Sequence, residues 1–412
     1  MKPNKTSPSL HSSSTSDTAM REPEGNHQGR RVKRSLARKF THWASSLKLN
    51  FLAGIASLQR SIRKSSQETP PLMTGRYWEQ VPLPNNPEQL RELAIDSAVA
   101  QIPYKLNHDP IRCWEIVREA ENILSESTDT DRPETSQHKV EPRFFEEILN
   151  CAKEGRCPEQ KKGLLTPGQK DMANSEYFRN ITLLPSGIII DHTTGLIAVM
   201  VVNQVTHKIT LVFGGTNSAN GAGDLLDEKG QEIGKKPGRL RAQLKADWQN
   251  LTGKKIPNCY LQASKLVELI KSMTHSKATL KTMGLDDSLG MLFLSGHSLG
   301  GSLAQYSAAK NKVPGRTFNP VALGRKVMED LTTDEKELAK NGLIDNYLVH
   351  HDIVNTPFGY KRWHKRLTPT ILGPRTIIHA HKATGKNTLY GRHSRSHVHY
   401  MAELKRKINA MK

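Results

Sequence analysis

A serine between two glycines, in Gly296-His-Ser298-Leu-Gly300, is the feature of this sequence whose residue types and spacing point most directly to chemistry. The apolar run before it, Met291–Leu294, is typical of a buried strand, and the alanine-rich run after it, Ser302–Lys310, favours a helix. A serine at the sharp turn between a strand and a helix is a nucleophile elbow, where side chains two positions either side would clash. Because this context is present, we interpret Ser298 as a nucleophile rather than as part of a chance match.

A serine hydroxyl is a weak nucleophile, so it needs a base, an acid that orients the base, and hydrogen-bond donors for the developing negative charge. The elbow lies at the positive end of the helix that follows it, so the backbone N–H of Leu299, the residue after the serine, is a candidate donor. Three β-rich runs, Ile188–Ile190, Leu196–Val202 and Ile209–Phe213, are predicted to be consecutive strands. A second glycine-containing turn, Phe213-Gly-Gly-Thr216-Asn, ends the third run. This turn is either a simple glycine turn or a second source of donors.

The motif Gly296-His-Ser-Leu-Gly-Gly301 resembles the signature of the class 3 lipases, the fungal-lipase-like branch of the α/β hydrolases. The resemblance extends over roughly residues 180–400. It implies an α/β protein with the α/β-hydrolase fold and a mostly parallel central sheet. It also implies that Thr216 contributes to the oxyanion hole with Leu299, although Gly214 stands where the family has an Arg.

The triad acid is expected after the serine, because α/β hydrolases place their triad in the order Ser, Asp, His. Arg316–Gly324 is similar to the family's next strand and loop, Thr-Phe-Gly-x-Pro-x-x-Gly, and the apolar run Asn346–Val354 carries an acid near its end. Asp352 matches the position of the family's acid. Asp345 is the alternative.

The C-terminal region is rich in histidine, with His379, His381, His393, His397 and His399, and most of these are expected to be non-catalytic. In the family, an aromatic residue follows the triad histidine at the third position, and His397 with Tyr400 fits this spacing. His399 and His393 are the alternatives. The cluster is also open to interpretation as a metal site, but no carboxylate lies beside it, so we expect neither a metal nor a cofactor.

The net charge of +20 on this 412-residue chain lies almost entirely at its two ends. Residues 1–70 hold 13 Lys and Arg against 4 Asp and Glu, and residues 360–412 hold 13 against 1. Such patches suit anionic lipid surfaces or nucleic acid. No nucleic-acid-binding motif accompanies them, so an anionic membrane surface is the favoured partner and nucleic acid is not expected.

Composition further limits the class of protein. Hydrophobic residues make up 36% of the chain and its mean hydropathy is −0.58, so part of it is expected not to pack into a core. No apolar run approaches the ~20 residues that span a bilayer. Four cysteines without zinc spacing favour free buried thiols over a Cys151–Cys157 disulfide, and give no sign of an oxidising compartment.

The pattern along the chain divides it into three parts. Residues 1–65 are expected to form a disordered Ser/Thr-rich leader followed by a basic amphipathic helix over Arg30–Lys64, where apolar residues recur every three or four positions. Residues 71–175 are predicted to be a helical flank, with a helix capped at Asn86. Residues 176–412 are predicted to form the class 3 lipase-like domain.

The favoured function is a serine-dependent lipid acyl-ester hydrolase, a lipase or phospholipase, that acts at anionic membranes. The alternative is a lipid- or phosphoinositide-binding effector on a hydrolase scaffold with little turnover. The family's lid falls in residues 217–240, where apolar side chains are few, so strong interfacial activation is not expected. A peripheral membrane or cytoplasmic location is expected. Together with the family resemblance, the Ser/Thr-rich leader without a conventional signal suggests a bacterial effector secreted into a host cell.

Overall fold

The computed structural model describes residues 81–124, 135–154, 165, 167–173, 175–216, 218, 238–282, 292–350, 352, 370–378, 393 and 396–412. These residues belong to one compact unit, Leu72–Lys412. The leader, the basic amphipathic helix and almost all of the lid segment 217–240 lie outside the described residues.

This unit contains both strands and helices. Its strands are β1 (His138–Val140), β2 (Ile181–Leu183), β3 (Ile188–Asp191), β4 (Ile197–Asn203), β5 (Ile209–Phe213), β6 (Leu292–His297), β7 (Gly315–Phe318), β8 (Ile344–Val349) and β9 (Arg375–Ile378). Its helices are α1 (Pro87–Val99), α2 (Ile102–Lys105), α3 (Pro110–Glu121), α4 (Arg143–Glu154), α5 (Pro167–Ala173), α6 (Gly238–Thr252), α7 (Asn258–Thr274), α8 (Lys277–Thr282), α9 (Leu299–Asn311), α10 (Arg325–Asp330), α11 (Thr333–Leu338) and α12 (Ser396–Asn409).

The strands form a single sheet in the order β2-β3-β4-β5-β6-β7-β8-β9, with β1 paired to β4. The pairings from β5 through β6, β7 and β8 to β9 are parallel. The pairings of β1 with β4, β2 with β3, β3 with β4 and β4 with β5 are antiparallel. The predicted α/β-hydrolase fold class is confirmed, with the serine elbow in the parallel half of the sheet. The strands predicted at 188–190, 196–202 and 209–213 are confirmed as β3, β4 and β5.

Both faces of the sheet are covered by helices, as strand β4 shows. All seven of its residues are buried. Ala198 and Met200 join the core cluster that includes α4, α7 and α9, whereas Ile197 and Val199 join the cluster that includes α1, α3 and α12. Burial on both faces explains why this strand is a continuous apolar run rather than an alternating one.

The region predicted as a helical flank contributes to the sheet as well as to the helical layers. Helix α1 begins as expected, with Asn86 Oδ1 accepting from the backbone N–H of Glu88 at 2.8 Å. Strand β1, which was not predicted, pairs with β4 in the register His138 to Asn203. At three residues it is too short to show a periodic pattern.

A buried ion cluster ties α1 to the sheet. Asp96 on α1 is paired with Arg316 on β7 and with Lys208, whose Nζ lies 3.0 Å from Asp96 Oδ1. Burial alone would raise the pKa of Asp96, but the two cations outweigh it and lower that pKa. This part of the N-terminal flank is therefore fixed against the strands that carry the site.

Two of the four cysteines, Cys113 and Cys259, are buried free thiols. Cys151 is disulfide-bonded, so the expectation of a free thiol at this position was wrong. No helix among the described residues has the length and apolar character needed to cross a bilayer.

Candidate active site

The turn between β6 and α9 places Ser298 in a backbone conformation that is rare for a residue with a side chain, with φ 59° and ψ −129°. A Cβ added to Gly296 would collide with the backbone of Gly300, and one added to Gly300 would collide with the carbonyl of Phe213. The predicted strand–turn–helix is confirmed, and these close approaches explain both glycines of the motif.

Three side chains from distant parts of the sequence meet at this turn. His393 Nε2 lies 2.8 Å from Ser298 Oγ. On the other side of the ring, His393 Nδ1 lies 3.0 Å from Asp352 Oδ2 and 3.1 Å from Asp352 Oδ1. Asp352 is fully buried and the His393 side chain is 12% exposed. This chain of hydroxyl, imidazole and carboxylate has the geometry of a serine-hydrolase triad.

The structure brings Ser298 and Asp352 together but does not place His397 with them. His397 lies on α12, where its Nδ1 is 3.0 Å from Ser97 Oγ. Because Ser97 Oγ donates its own hydrogen to the carbonyl of Ala94, the Nδ1 of His397 must carry the hydrogen of this contact. Burial lowers the pKa of His397 to about 3, so the ring is neutral. The structure therefore does not support the prediction of His397 as the base, and it places His393, one of the two alternatives, beside Ser298 instead.

The spacing from His397 to Tyr400 does not indicate which histidine contacts Ser298. Tyr400, the aromatic residue that supported His397, does lie near the acid, but it donates to Asn319 Oδ1 or to the carbonyl of Tyr347. His399 is buried on α12, and Asp345 lies on β8 beside the register position of Arg316. Neither of these alternatives takes part in the hydrogen bonds to Ser298.

Of the two predicted oxyanion residues, Leu299 directly follows the nucleophile, and Thr216 directly follows a residue that lies beside it. Leu299 is the first residue of α9, so its N–H has no acceptor within the helix. Gly215 lies beside the serine, because a Cβ added to it would be 3.1 Å from Ser298 Cβ, and Thr216 follows directly. The Thr216 Oγ1 hydroxyl donates to Asp247 Oδ2 at 2.7 Å. Burial raises the pKa of Asp247 to about 6.

A tyrosine from the N-terminal flank holds this turn against the elbow. Tyr104 Oη accepts from the N–H of Gly215 at 3.0 Å and donates to the carbonyl of His297 at 3.0 Å. His297 Nε2 in turn donates to the carbonyl of His393 at 3.1 Å, and the two imidazole rings lie 4.7 Å apart. Burial and the neighbouring His393 hold the pKa of His297 well below its usual range, so it stays neutral.

Sequence reasoning missed Asp247, Tyr104 and Asn319, which all touch the site. Asp247 lies on α6, a helix that was not predicted because its sequence directly follows the polar lid segment. Tyr104 lies on α2, a helix of only four residues. No motif marks either residue. Among the residues that the structure describes, no group of three His, Cys, Asp or Glu side chains could hold a metal ion.

The order of the sheet and the strand–turn–helix at Ser298 define an α/β-hydrolase fold. No protein-family model matches the chain, and no curated protein matches it. Solved structures do match. One is the crystal structure of Lip2 lipase from Yarrowia lipolytica, with 16% identity and a TM-score of 0.26, covering 58% of this chain and 78% of that chain. Another is the nonglycosylated form of Yarrowia lipolytica LIP2 lipase, with 14% identity and a TM-score of 0.27, covering 60% of this chain and 83% of that chain.

Proposed function

We propose that this protein is a serine-dependent lipid acyl-ester hydrolase, a lipase or phospholipase, with Ser298, His393 and Asp352 as its triad. One observation carries the proposal. The imidazole of His393 contacts the serine hydroxyl with one nitrogen and a buried carboxylate with the other, at 2.8 and 3.0 Å. A hydroxyl in this setting can lose its proton as it attacks a carbonyl carbon.

The first half of the reaction forms an acyl-enzyme. His393 Nε2 accepts the proton of Ser298 Oγ while the oxygen bonds to the ester carbonyl carbon. Asp352 accepts the hydrogen on His393 Nδ1, which fixes the tautomer and stabilises the imidazolium that forms. His393 then gives the proton to the leaving alcohol as the carbon–oxygen bond breaks. In the second half, water attacks the acyl group by the same route and releases the acid.

The negative charge of each tetrahedral intermediate falls beside the start of α9. The backbone N–H groups of Leu299 and Thr216 are proposed to hold this oxyanion, each contributing on the order of 10²–10³ in rate. Asp247 accepts the hydroxyl hydrogen of Thr216 and thereby holds this residue in place. Tyr104 does the same for Gly215, its neighbour in the turn.

A lipid substrate is supported by the surface of α6, the helix that carries Asp247. Leu240, Leu244 and Trp248 are spaced by four residues along this helix and are 45%, 54% and 59% exposed. Arg241 and Lys245 are exposed beside them. An apolar stripe with basic neighbours, on a helix that contacts the turn at Thr216, suits a lipid surface that carries negative charge. Secretion into a host cell stays a hypothesis from the leader.

The alternative function is lipid binding on this scaffold with little turnover. A scaffold that only binds lipid does not require an imidazole 2.8 Å from a buried hydroxyl on one side and a buried carboxylate on the other. The triad geometry therefore favours turnover. Covalent labelling with a fluorophosphonate separates the two functions.

Covalent labelling by a fluorophosphonate tests the proposal directly. The wild-type protein is expected to take one label, Ser298→Ala none, and Ser307→Ala the same label as wild type. Ser307 is a matched control because it is a fully buried serine on the same helix whose Oγ has no hydrogen-bond partner among the described residues. Labelling that persists in Ser298→Ala would contradict the assignment of the nucleophile. A folded wild-type protein that neither labels nor hydrolyses a soluble short-chain ester would favour the binding function.

A further inference from the structure

Asn319, the residue directly after β7, lies between the triad acid and the core of the sheet. It is fully buried. Its φ of 44° is in the left-handed region, which Asn tolerates better than most residues with a side chain. Its backbone N–H donates to the carbonyl of Tyr347 at 2.8 Å, which fixes the turn to the neighbouring strand β8. Both features hold the side-chain amide in one position.

The contacts of this amide define which way it faces. Its Oδ1 accepts from the backbone N–H of Val349 at 2.7 Å, and that N–H can only donate. Its Nδ2 lies 2.6 Å from Asp352 Oδ2, and an ionised carboxylate can only accept. The reverse orientation would oppose donor to donor and acceptor to acceptor. Tyr400 Oη, 2.7 Å from Oδ1, is a further donor that agrees with this orientation.

We propose that Asn319 is a positioning residue, which holds the carboxylate of Asp352 against His393 by donating a hydrogen bond to it. This role rests on the proposed function, since it acts through the triad. Asp352 Oδ2 receives both the Asn319 amide and the His393 Nδ1–H, so the amide fixes the oxygen on which the imidazole depends. Because the carboxylate is fully buried, a protein donor takes the place that water would have at the surface.

The electrostatic setting of the acid explains why a neutral donor suits this place. Among the described residues, the titratable groups that interact with the acid and its imidazole include His393 itself, Tyr400 from α12, His297 from β6 and Asp247 from α6. Burial raises the pKa of Tyr400 well above its usual value and lowers that of His297, so both are neutral. The amide of Asn319 stabilises the carboxylate without adding a charge that would compete with the imidazolium.

Two substitutions separate this role from a general structural one. Asn319→Gly removes the amide and keeps a backbone that adopts positive φ at no cost. Asn319→Asp keeps the shape, but the new carboxyl group can donate to Asp352 only while it carries a proton. Asn346→Ala is the matched control: Asn346 is a buried amide on β8 that donates to the carbonyls of Leu372 and Pro374 and does not touch the triad.

Two readouts are measured for each variant: kcat/KM on a soluble short-chain ester from pH 5 to 9, and the titration midpoint of His393 by NMR with labelled histidine. His393→Gln identifies the His393 signal. Asn319→Gly should lower kcat/KM by about 10²-fold, mainly through kcat, because the triad is misplaced. It should also raise the His393 midpoint, since an acid without its donor holds the imidazolium more strongly. For Asn319→Asp, the ratio of kcat/KM to that of wild type should fall as the pH rises.

The proposal is overturned if the ratio for Asn319→Asp is the same at every pH and the His393 midpoint in Asn319→Gly equals that of wild type. It is also overturned if Asn346→Ala reproduces the loss of kcat and the shift of the midpoint. The NMR titration does not require turnover. If wild type neither labels nor hydrolyses esters, the proposed function fails, and the His393 midpoint still decides whether Asn319 controls the acid. If the glycine variant does not fold, the isosteric Asn319→Asp variant carries the test.

Discussion

Thr216 Oγ1 donates a hydrogen bond of 2.7 Å to Asp247 Oδ2, and this contact joins the turn Phe213–Thr216, which we call the oxyanion turn after its proposed role, to helix α6. Burial raises the pKa of the acceptor to about 6 against an ordinary 3.8, an effect that the hydrogen bond from Thr216 and the nearby His393 only partly offset. The carboxyl therefore changes its charge in the mildly acidic range.

The first prediction concerns the stability of Asp247→Asn. Because the pKa is higher in the folded than in the unfolded state, the folded state binds the proton more tightly, and wild type loses stability as the pH rises from about 4 to 6. The asparagine does not titrate and still accepts from Thr216. The variant should be more stable than wild type above pH 6, and this difference should vanish below pH 4. Urea unfolding at several pH values measures it, and a difference that is constant with pH would contradict the pKa shift.

The second prediction separates the two histidines in function. His393→Ala should lower kcat/KM on a soluble ester by at least about 10³-fold, since the serine loses its base. His397→Ala should leave the kcat/KM of the folded protein close to wild type. It should lower the free energy of unfolding by about 1–3 kcal/mol, because it leaves a cavity and removes the contact with Ser97. The reverse pattern of activities would return the role of base to His397.

A third prediction follows from the depressed pKa of His397. Burial lowers it to about 3 from 6.5, so the unfolded state binds the proton more tightly, and wild type loses stability as the pH falls from about 6.5 to 3. His397→Gln has no such titration, so the stability difference between wild type and variant should shrink as the pH falls. Chemical unfolding of both proteins at pH 7, 6, 5 and 4 tests this. A stability difference that stays constant or grows in acid would show that His397 can be protonated within the folded protein.

The fourth prediction concerns Tyr104, whose hydroxyl joins the oxyanion turn to the elbow. Tyr104→Phe leaves the N–H of Gly215 and the carbonyl of His297 without this partner. We expect a cost of about 1–3 kcal/mol in the free energy of unfolding and a fall in kcat with little change in KM. Tyr306→Phe is the control, since its hydroxyl donates to Asp330 away from the site. Equal loss of kcat in both variants would assign Tyr104 a merely structural role.

How far the sequence predicts this molecule depends on the range of the interactions involved. Local patterns were sufficient for β3, β4, β5 and the strand–turn–helix at Ser298, because each is defined by adjacent residues. Asp352 could be predicted as the acid only with the family resemblance and the order Ser, Asp, His, because an aspartate after an apolar strand is common. Strand β1 could not be predicted, because three residues are too few to show a period. Helix α6 was not predicted, because it directly follows the polar lid segment.

The two histidines, His393 and His397, show that spacing along the sequence does not identify the proposed base. His393 and His397 are four residues apart, yet one contacts Ser298 and the other contacts Ser97 on α1. Nothing in the local sequence distinguishes them, because the choice depends on where α12 packs against α1. The contact of Asn319 with Asp352 likewise joins the ends of β7 and β8, and it follows from the pairing of those strands rather than from either segment.

The last prediction concerns the two kinds of surface that would meet a membrane. Residues 1–70, which lie outside the described residues, carry 13 Lys and Arg against 4 Asp and Glu. Each basic residue near an anionic surface contributes about 1 kcal/mol, which salt weakens. The apolar stripe on α6, formed by Leu240, Leu244 and Trp248, contributes instead by burial of about 25 cal/mol per Å², which does not depend on lipid charge. The two contributions can therefore be measured separately.

Deletion of residues 1–65 should weaken binding to phosphatidylserine or phosphoinositide vesicles at low salt, have little effect at high salt, and leave hydrolysis of a soluble monomeric ester nearly intact. The double substitution Leu244→Ser and Trp248→Ser should weaken binding to anionic and neutral vesicles alike. Val205→Ser is the control, because Val205 is 63% exposed in the turn between β4 and β5, on a different surface element. Sedimentation with both vesicle types at two salt concentrations measures all of these. Unchanged binding of the deletion variant at low salt would mean that the basic end binds another partner. If Val205→Ser weakens binding as much as the α6 variant does, the stripe is not the lipid-facing surface.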